Sequence, residues 1–198
     1  KVVLAEGNLD AEVMLVGEAP GASENKTGKP FYGAAGNNLD ALLAYAGIDR
    51  AEVIVTNLIS CAPFQLQPKT GEYVIGNPKK AYTDPCAYWL DQKILQSKVR
   101  LVVPLGKYSL AKFLPKAKLS QVHGKPFKIL FESKCPDLPS DCPRSKELIV
   151  YPLYHPAYPL HDPRKKELLA AEYKQLPNVY NLLPKKPPAE NYRIARDW

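Results

Sequence analysis

No stretch of this 198-residue chain comes near the roughly 20 consecutive apolar residues that a membrane-spanning helix needs. The N-terminus also lacks the basic, apolar and small-residue order of a secretory signal. A soluble, cytoplasmic protein without membrane contact is therefore expected. No GxGxxG follows an apolar strand and no Walker lysine motif occurs, which argues against the two familiar phosphate-cradling loops and against a small-nucleotide enzyme built on them. The four cysteines, Cys61, Cys86, Cys135 and Cys142, form no CxxC pair, and without a secretory context disulfides are not expected. Cys135 and Cys142 lie in CPDLPSDC, which reads as a Pro-rich hairpin tip or inserted loop.

What remains is ordinary in bulk. Apolar content of 45% and charged content of 24% suit one globular domain large enough to bury a good core. The 20 prolines are about twice the usual frequency and fall mostly in loops and the tail, implying stiff connections. The net charge of +7 reads either as a solubilising surface or as an electrostatic footprint for a polyanion, most often nucleic acid.

Four short apolar runs read as strands: Val13–Val16, Val53–Thr56, Leu101–Leu105 and Leu148–Tyr151. Each is continuously apolar rather than alternating, as in a parallel sheet covered on both faces. Helical patterns lie between them: Leu39, Leu42, Leu43 and Ala46 ahead of Gly47, then Cys86–Ser97, a short helix after Gly106, and Arg164–Gln175. The expectation is a three-layer α/β/α sandwich with a central, mainly parallel four-stranded sheet over residues 1–183, followed by a basic, flexible tail at 184–198. Gln65–Thr83 reads as a long polar loop and Phe127–Lys146 as a hairpin.

Ligands of such sheets bind outside the carboxyl ends of the strands. GEAPG follows the first strand, Asn57 ends the second, Gly106-Lys107 follows the third, and His155 follows the fourth. Glu18 is either an exposed turn carboxylate or an acid that orients water at a strand-end pocket. Phe31 is either core or a platform on which a base stacks for roughly 1–3 kcal/mol. Asn57 either caps a turn or offers the paired donor and acceptor that read an imide edge. His155, restricted by Pro156, is either a structural histidine or a donor to an oxygen gaining negative charge. Tyr158-Pro159-Leu160 reads as a stiff wedge into a base stack or as a plug on the sheet.

GNLD at 7–10, GEAPG at 17–21, KTGKPFYG at 26–33, AGI at 46–48, TN at 56–57, PLG at 104–106 and HPAY at 155–158 together resemble the family 4 uracil-DNA glycosylases, in family order and over about residues 1–163. The resemblance implies a repair enzyme that hydrolyses the N-glycosidic bond of deoxyuridine in DNA, releasing uracil and leaving an abasic site. By that resemblance Phe31 stacks on uracil, Asn57 reads its edge, His155 supports the departing base, and Glu18 is the motif acid beside Ala19, where other branches hold a catalytic Asp. Tyr32 or the adjoining backbone is expected to exclude thymine's methyl group. Lys107, with Tyr158, Pro159 and Leu160, is expected to meet DNA. The enzyme is expected to act as a monomer, associating with the nucleoid when on DNA.

The family also binds a 4Fe-4S cluster through four cysteines. Cys61 and Cys86 match two of them, across a loop longer than usual. The other pair would form a CxxC ahead of Lys1, so a trimmed N-terminus is expected, with a cluster-free variant as the alternative. His161 stands where the family has Arg, and Pro159 breaks the usual pair of leucines. The competing function is a non-catalytic relative that captures damaged or single-stranded DNA, keeping the basic rim and Phe31 but needing neither Glu18 nor His155.

Overall fold

The computed structural model describes residues 1–161 and 165–183, without the side chains of residues 160 and 161. The expected tail, 184–198, lies outside the described residues. Four strands run parallel at the centre: β2 (Val13–Gly17), β3 (Ile54–Asn57), β6 (Leu101–Pro104) and β8 (Ser145–Val150). These contain or overlap the four apolar runs read from the sequence. Met14, Leu15, Val16, Val55, Val102 and Val103 are fully buried, as strands covered on both faces require.

Among the described residues the sheet has six strands, however, rather than four, in the order β1-β3-β2-β6-β8-β7. β1 (Glu6–Gly7) pairs antiparallel with β3, and β7 (Phe127–Glu132) pairs antiparallel with β8. Both additions are edge strands. β1 is only two residues long, and β7 alternates exposed positions with half-buried or buried ones because one of its faces is open. Neither carries the continuous apolar run that marks a central strand.

Successive residues of β2 feed two separate cores. Met14 and Val16 pack with Leu90, Ile94, Phe113 and Leu148 on one face, beneath α3 (Lys80–Gln96) and α4 (Lys107–Phe113). Leu15 packs on the other face with Leu39 and Leu43 of α2 (Ala34–Tyr45), and with Tyr173 of α7 (Lys166–Lys174) and Val179 of α8 (Leu176–Tyr180). Three layers result. Each fully buried Leu or Val contributes about 1.5–3 kcal/mol, so the central strands set the fold.

Two local readings change. Gln65–Thr83 is not one loop: β4 (Phe64–Leu66) and β5 (Tyr73–Ile75) form a separate antiparallel hairpin, and α3 already begins at Lys80. Pro85 marks a break in sequence terms, yet it lies inside α3. The turn before it is closed by Tyr82 and Thr83 N–H groups donating to the Lys79 carbonyl at 2.8 and 3.0 Å.

The strand order places β3 on one side of β2 and β6 on the other. Direction therefore reverses at β2, the position at which such sheets open a crevice for ligands.

Candidate active site

The carboxyl ends of β2, β3 and β8 meet at a cavity of about 150 Å³ lined by Ala19, Gly21, Glu24, Phe31, Ala35, Asn57 and His155. Four residues singled out in the sequence, Ala19, Phe31, Asn57 and His155, are thus brought together from three distant segments. Glu18 is not among them.

Phe31 has φ +52°, the only non-glycine residue with positive φ among those described. For a bulky residue this is strained backbone, costing of order 1–3 kcal/mol, and the surroundings hold it from both sides. Arg50 Nη2 donates to the Pro30 carbonyl at 2.7 Å, while Arg50 Nη1 meets Asp40 at 2.8 Å. On the far side, the Tyr32 N–H donates to Glu24 Oε1 at 3.0 Å. Gly36 of α2 lets the Phe31 carbonyl lie where a side chain would be: a Cβ there would stand 1.8 Å from that oxygen.

Gly17 makes the cavity floor thin in the same way. A Cβ on Gly17 would meet Asn57 Oδ1 at 2.3 Å and the Phe31 ring at 2.5 Å. β2 and β3 are in register with Gly17 opposite Asn57, so the amide and the aromatic ring sit over bare backbone. Asn57 is buried, with 7% exposed, and lines the cavity.

His155 stacks on Phe31, with ring centroids 5.5 Å apart. Burial pushes its pKa down to about 4, so the imidazole is neutral at pH 7. The Ala157 N–H donates to His155 Nδ1 at 3.2 Å, which leaves the proton of the neutral ring on Nε2. His155 is therefore a neutral donor. Its loop is anchored by Asn38 Nδ2, which donates to the Pro156 carbonyl at 3.1 Å.

Glu18 turns the other way, into the crevice between β2 and β6. Its Oε1 accepts the Tyr108 N–H at 3.0 Å, and a Cβ on Gly106 would collide with it at 2.3 Å. Burial raises its pKa, opposed by hydrogen bonds from the Tyr108 and Lys107 backbone and by the Lys107 charge. The carboxylate thus fills the crevice at the reversal of strand order and leaves the cavity on the β3 side.

The acid that does line the cavity is Glu24, in α1 (Ala22–Thr27). Its Oε2 accepts the Gly21 N–H and its Oε1 the Tyr32 N–H, each at 3.0 Å. The signal was present in the sequence as a carboxylate three residues after Gly21, the spacing of a capping box. Tyr32 is 53% exposed and does not line the cavity, whereas Glu24 and Ala35 do.

Lys107 is exposed, with its ammonium 4.9 Å from the Tyr108 ring centroid. Tyr158 stacks on Tyr154 at 4.5 Å, and Tyr154 packs on His123, whose Nδ1 contacts Glu172 Oε1. Tyr158 and Pro159 are partly buried at the start of α6 (Tyr158–His161), and the Leu160 side chain lies outside the described residues.

Cys61 is exposed, Cys86 and Cys135 are half-buried, and Cys142 is buried, all as free thiols. Among the described residues no three His, Cys, Asp or Glu side chains converge as a metal cage. A four-iron cluster takes four thiolates, so Cys61 and Cys86 do not make its site between them.

The sequence model of the Uracil DNA glycosylase superfamily matches residues 4–183. The chain is 31% identical over 180 residues to the type-4 uracil-DNA glycosylase of Sulfurisphaera tokodaii, covering 88% of this chain and 72% of that one. It is 33% identical over 169 residues to the type-4 uracil-DNA glycosylase of Thermotoga maritima, covering 84% and 75%. With that of Archaeoglobus fulgidus the identity is 30% over 176 residues, covering 86% and 77%. The match spans the strands and loops that build the cavity, and it shows that this chain belongs to the uracil DNA glycosylase superfamily.

Proposed function

We propose that this chain removes uracil from DNA by hydrolysing the bond between uracil N1 and the deoxyribose C1′. The carrying observation is the cavity in which Phe31, Asn57 and the neutral His155 meet at the strand ends. A base reaches such a cavity only by leaving the helical stack. Phe31 offers it a face, and the Asn57 amide offers a donor and an acceptor to the imide edge of uracil, a pattern cytosine does not match.

As the N1–C1′ bond breaks, its electron pair stays on uracil and spreads to the ring oxygens, while positive charge spreads over the sugar. The His155 Nε2–H donates to the oxygen gaining charge. A neutral donor already in place needs no reorganisation as the charge develops. Water then adds at C1′ and its proton passes through solvent to the uracil anion, giving neutral uracil and the C1′ hydroxyl of the abasic sugar. Glu24, fixed by two backbone N–H groups, forms part of the cavity wall that selects by size. Glu18 holds the β6–α4 turn beside the site, a positioning role in place of the water-orienting role expected from its motif. Lys107 and Tyr158 meet the DNA backbone and the opened stack.

The four-cysteine cluster expected from the resemblance stays a proposal on Cys61 and Cys86 alone, and no step above passes through it. Iron analysis and a visible absorption spectrum of the purified chain test it.

The glycosylase reading is tested by incubating the chain with uracil-containing single- and double-stranded DNA, followed by alkaline cleavage. Strand breaks at uracil are expected; their absence would sink the enzyme reading. The engagement of Glu18 away from the cavity favours one competitor, a relative that binds DNA without cutting it. Equal DNA binding with no base release, by wild type and His155→Ala alike, would select that competitor.

A further inference from the structure

A second opening lies beside the cavity. A groove of about 640 Å³ runs between the β4–β5 hairpin, the start of α3 and one side of α4. Two of its lining residues adjoin the residues of the site: Leu58 follows Asn57, and the Tyr108 N–H holds Glu18, the neighbour of Ala19. Lys79 and Lys80 stand exposed in its lining, and the ammonium of Lys107 lies 4.9 Å from the centroid of the Tyr108 ring. Asp84 is the acid of this lining, 4.0 Å from Lys80. Lys112 also lines the groove but is tied to buried Asp91 at 2.5 Å, so it serves as wall.

We propose that this groove holds the unpaired DNA strand on one side of the uracil nucleotide, with a base against Tyr108 and phosphates on Lys79 and Lys80. The inference rests on the DNA substrate of the reading above. An aromatic face beside a line of cations is what single-stranded nucleic acid uses, since stacking tolerates any base and the lysines follow the backbone. The volume lies in the range of about 300–1,000 Å³ that takes a small organic ligand, which suits a short stretch of one strand. The hairpin that forms one wall is the segment that lengthens the chain between Cys61 and Cys86, so the groove is built by the long connection noted in the sequence.

The test uses the full chain and two labelled single-stranded oligonucleotides, each with uracil near one end and about ten nucleotides on its 5′ or its 3′ side, within the reach of a single-strand site. Wild type is expected to bind one of them about tenfold more tightly by fluorescence anisotropy. Lys79→Glu with Lys80→Glu is expected to abolish that difference and lower the salt slope for the favoured oligonucleotide by about two. Binding and uracil release on the disfavoured oligonucleotide, and the thermal melt, stay as in wild type. Equal wild-type affinity for both, or an asymmetry that survives the double substitution, overturns the proposal. In wild type the favoured oligonucleotide is also expected to protect Lys79 and Lys80 from acetylation; no protection overturns it, however the variant folds. Asymmetric binding without uracil release would leave the groove standing and remove the glycosylase reading. Uracil release from both with equal affinity would do the reverse.

Discussion

The rings of Phe31 and His155 stack 5.5 Å apart, 24° from parallel, although 124 positions separate them in the chain. A strained aromatic and a neutral histidine thereby share one wall of a small cavity, and each explains the other's environment. The Phe31 ring helps dehydrate the imidazole, and dehydration keeps the imidazole uncharged.

That coupling sets a pH dependence. With His155 held at about 4 against 6.5 when unfolded, the unfolded chain binds the extra proton first as pH falls. Stability from this residue is therefore complete above pH 6.5 and is lost as pH drops through the window down to 4, by about 3 kcal/mol in total. Urea unfolding at pH 7.5 and 4.5 should show the slope, and His155→Gln should remove its share. Uracil release should stay flat from pH 7 to 5 on this residue's account, and His155→Ala should lower kcat by about 10²–10³.

Gly17→Ala would place a methyl against Asn57 Oδ1 and the Phe31 ring. The expected result is a stability loss of about 1–3 kcal/mol and a larger loss of kcat/KM, because the strain falls on the two groups proposed to read the base. A thermal melt and steady-state kinetics check it. Unchanged kinetics would show that the amide and ring can shift without cost.

Arg50 never touches the cavity, yet it holds the Pro30 carbonyl and so the strained Phe31. Arg50→Ala is expected to destabilise by about 1–2 kcal/mol and to lower kcat/KM about tenfold, as Phe31 relaxes toward ordinary φ. Kinetics on uracil-containing DNA measure this, and normal activity would mean that Gly36 and Glu24 suffice.

Glu18 separates motif from geometry. Because its carboxylate serves the Tyr108 N–H, Glu18→Ala should cost about 1–2 kcal/mol of stability. Glu18→Gln should keep kcat within about tenfold. A loss near 10³ in Glu18→Gln with an unchanged melt would restore the water-orienting role.

The central sheet was legible because four parallel strands must be apolar on both faces, and β2, β3, β6 and β8 carry that pattern in contiguous runs. Strand-end positions then made Glu18, Lys107, Asn57 and His155 candidates, while Phe31 was singled out as an aromatic beside Pro30 at the end of the loop after β2. The hairpin read over Phe127–Lys146 is present as β7 paired antiparallel with β8, whereas the edge strand β1 and the β4–β5 hairpin were not legible, since short strands leave only a weak alternation. Glu24 was overlooked for a related reason: a helix-capping spacing reports a local hydrogen bond and says nothing of what lies beyond it.

The sequence by itself determined the alternation of strands and helices, the basic charge, and the residue types that end each strand, because these follow from local pattern and composition. Only the tertiary structure decided which way the two acids point. Glu18 and Glu24 lie six positions apart, one in the turn after β2 and one in α1, and their roles diverge according to which unpaired N–H each can reach. Gly106 leaves room for Glu18 in the crevice between β2 and β6, while Gly21 and Tyr32 draw Glu24 to the cavity. A half-buried carboxylate goes where backbone donors are left without partners, and those positions exist only once the sheet has formed.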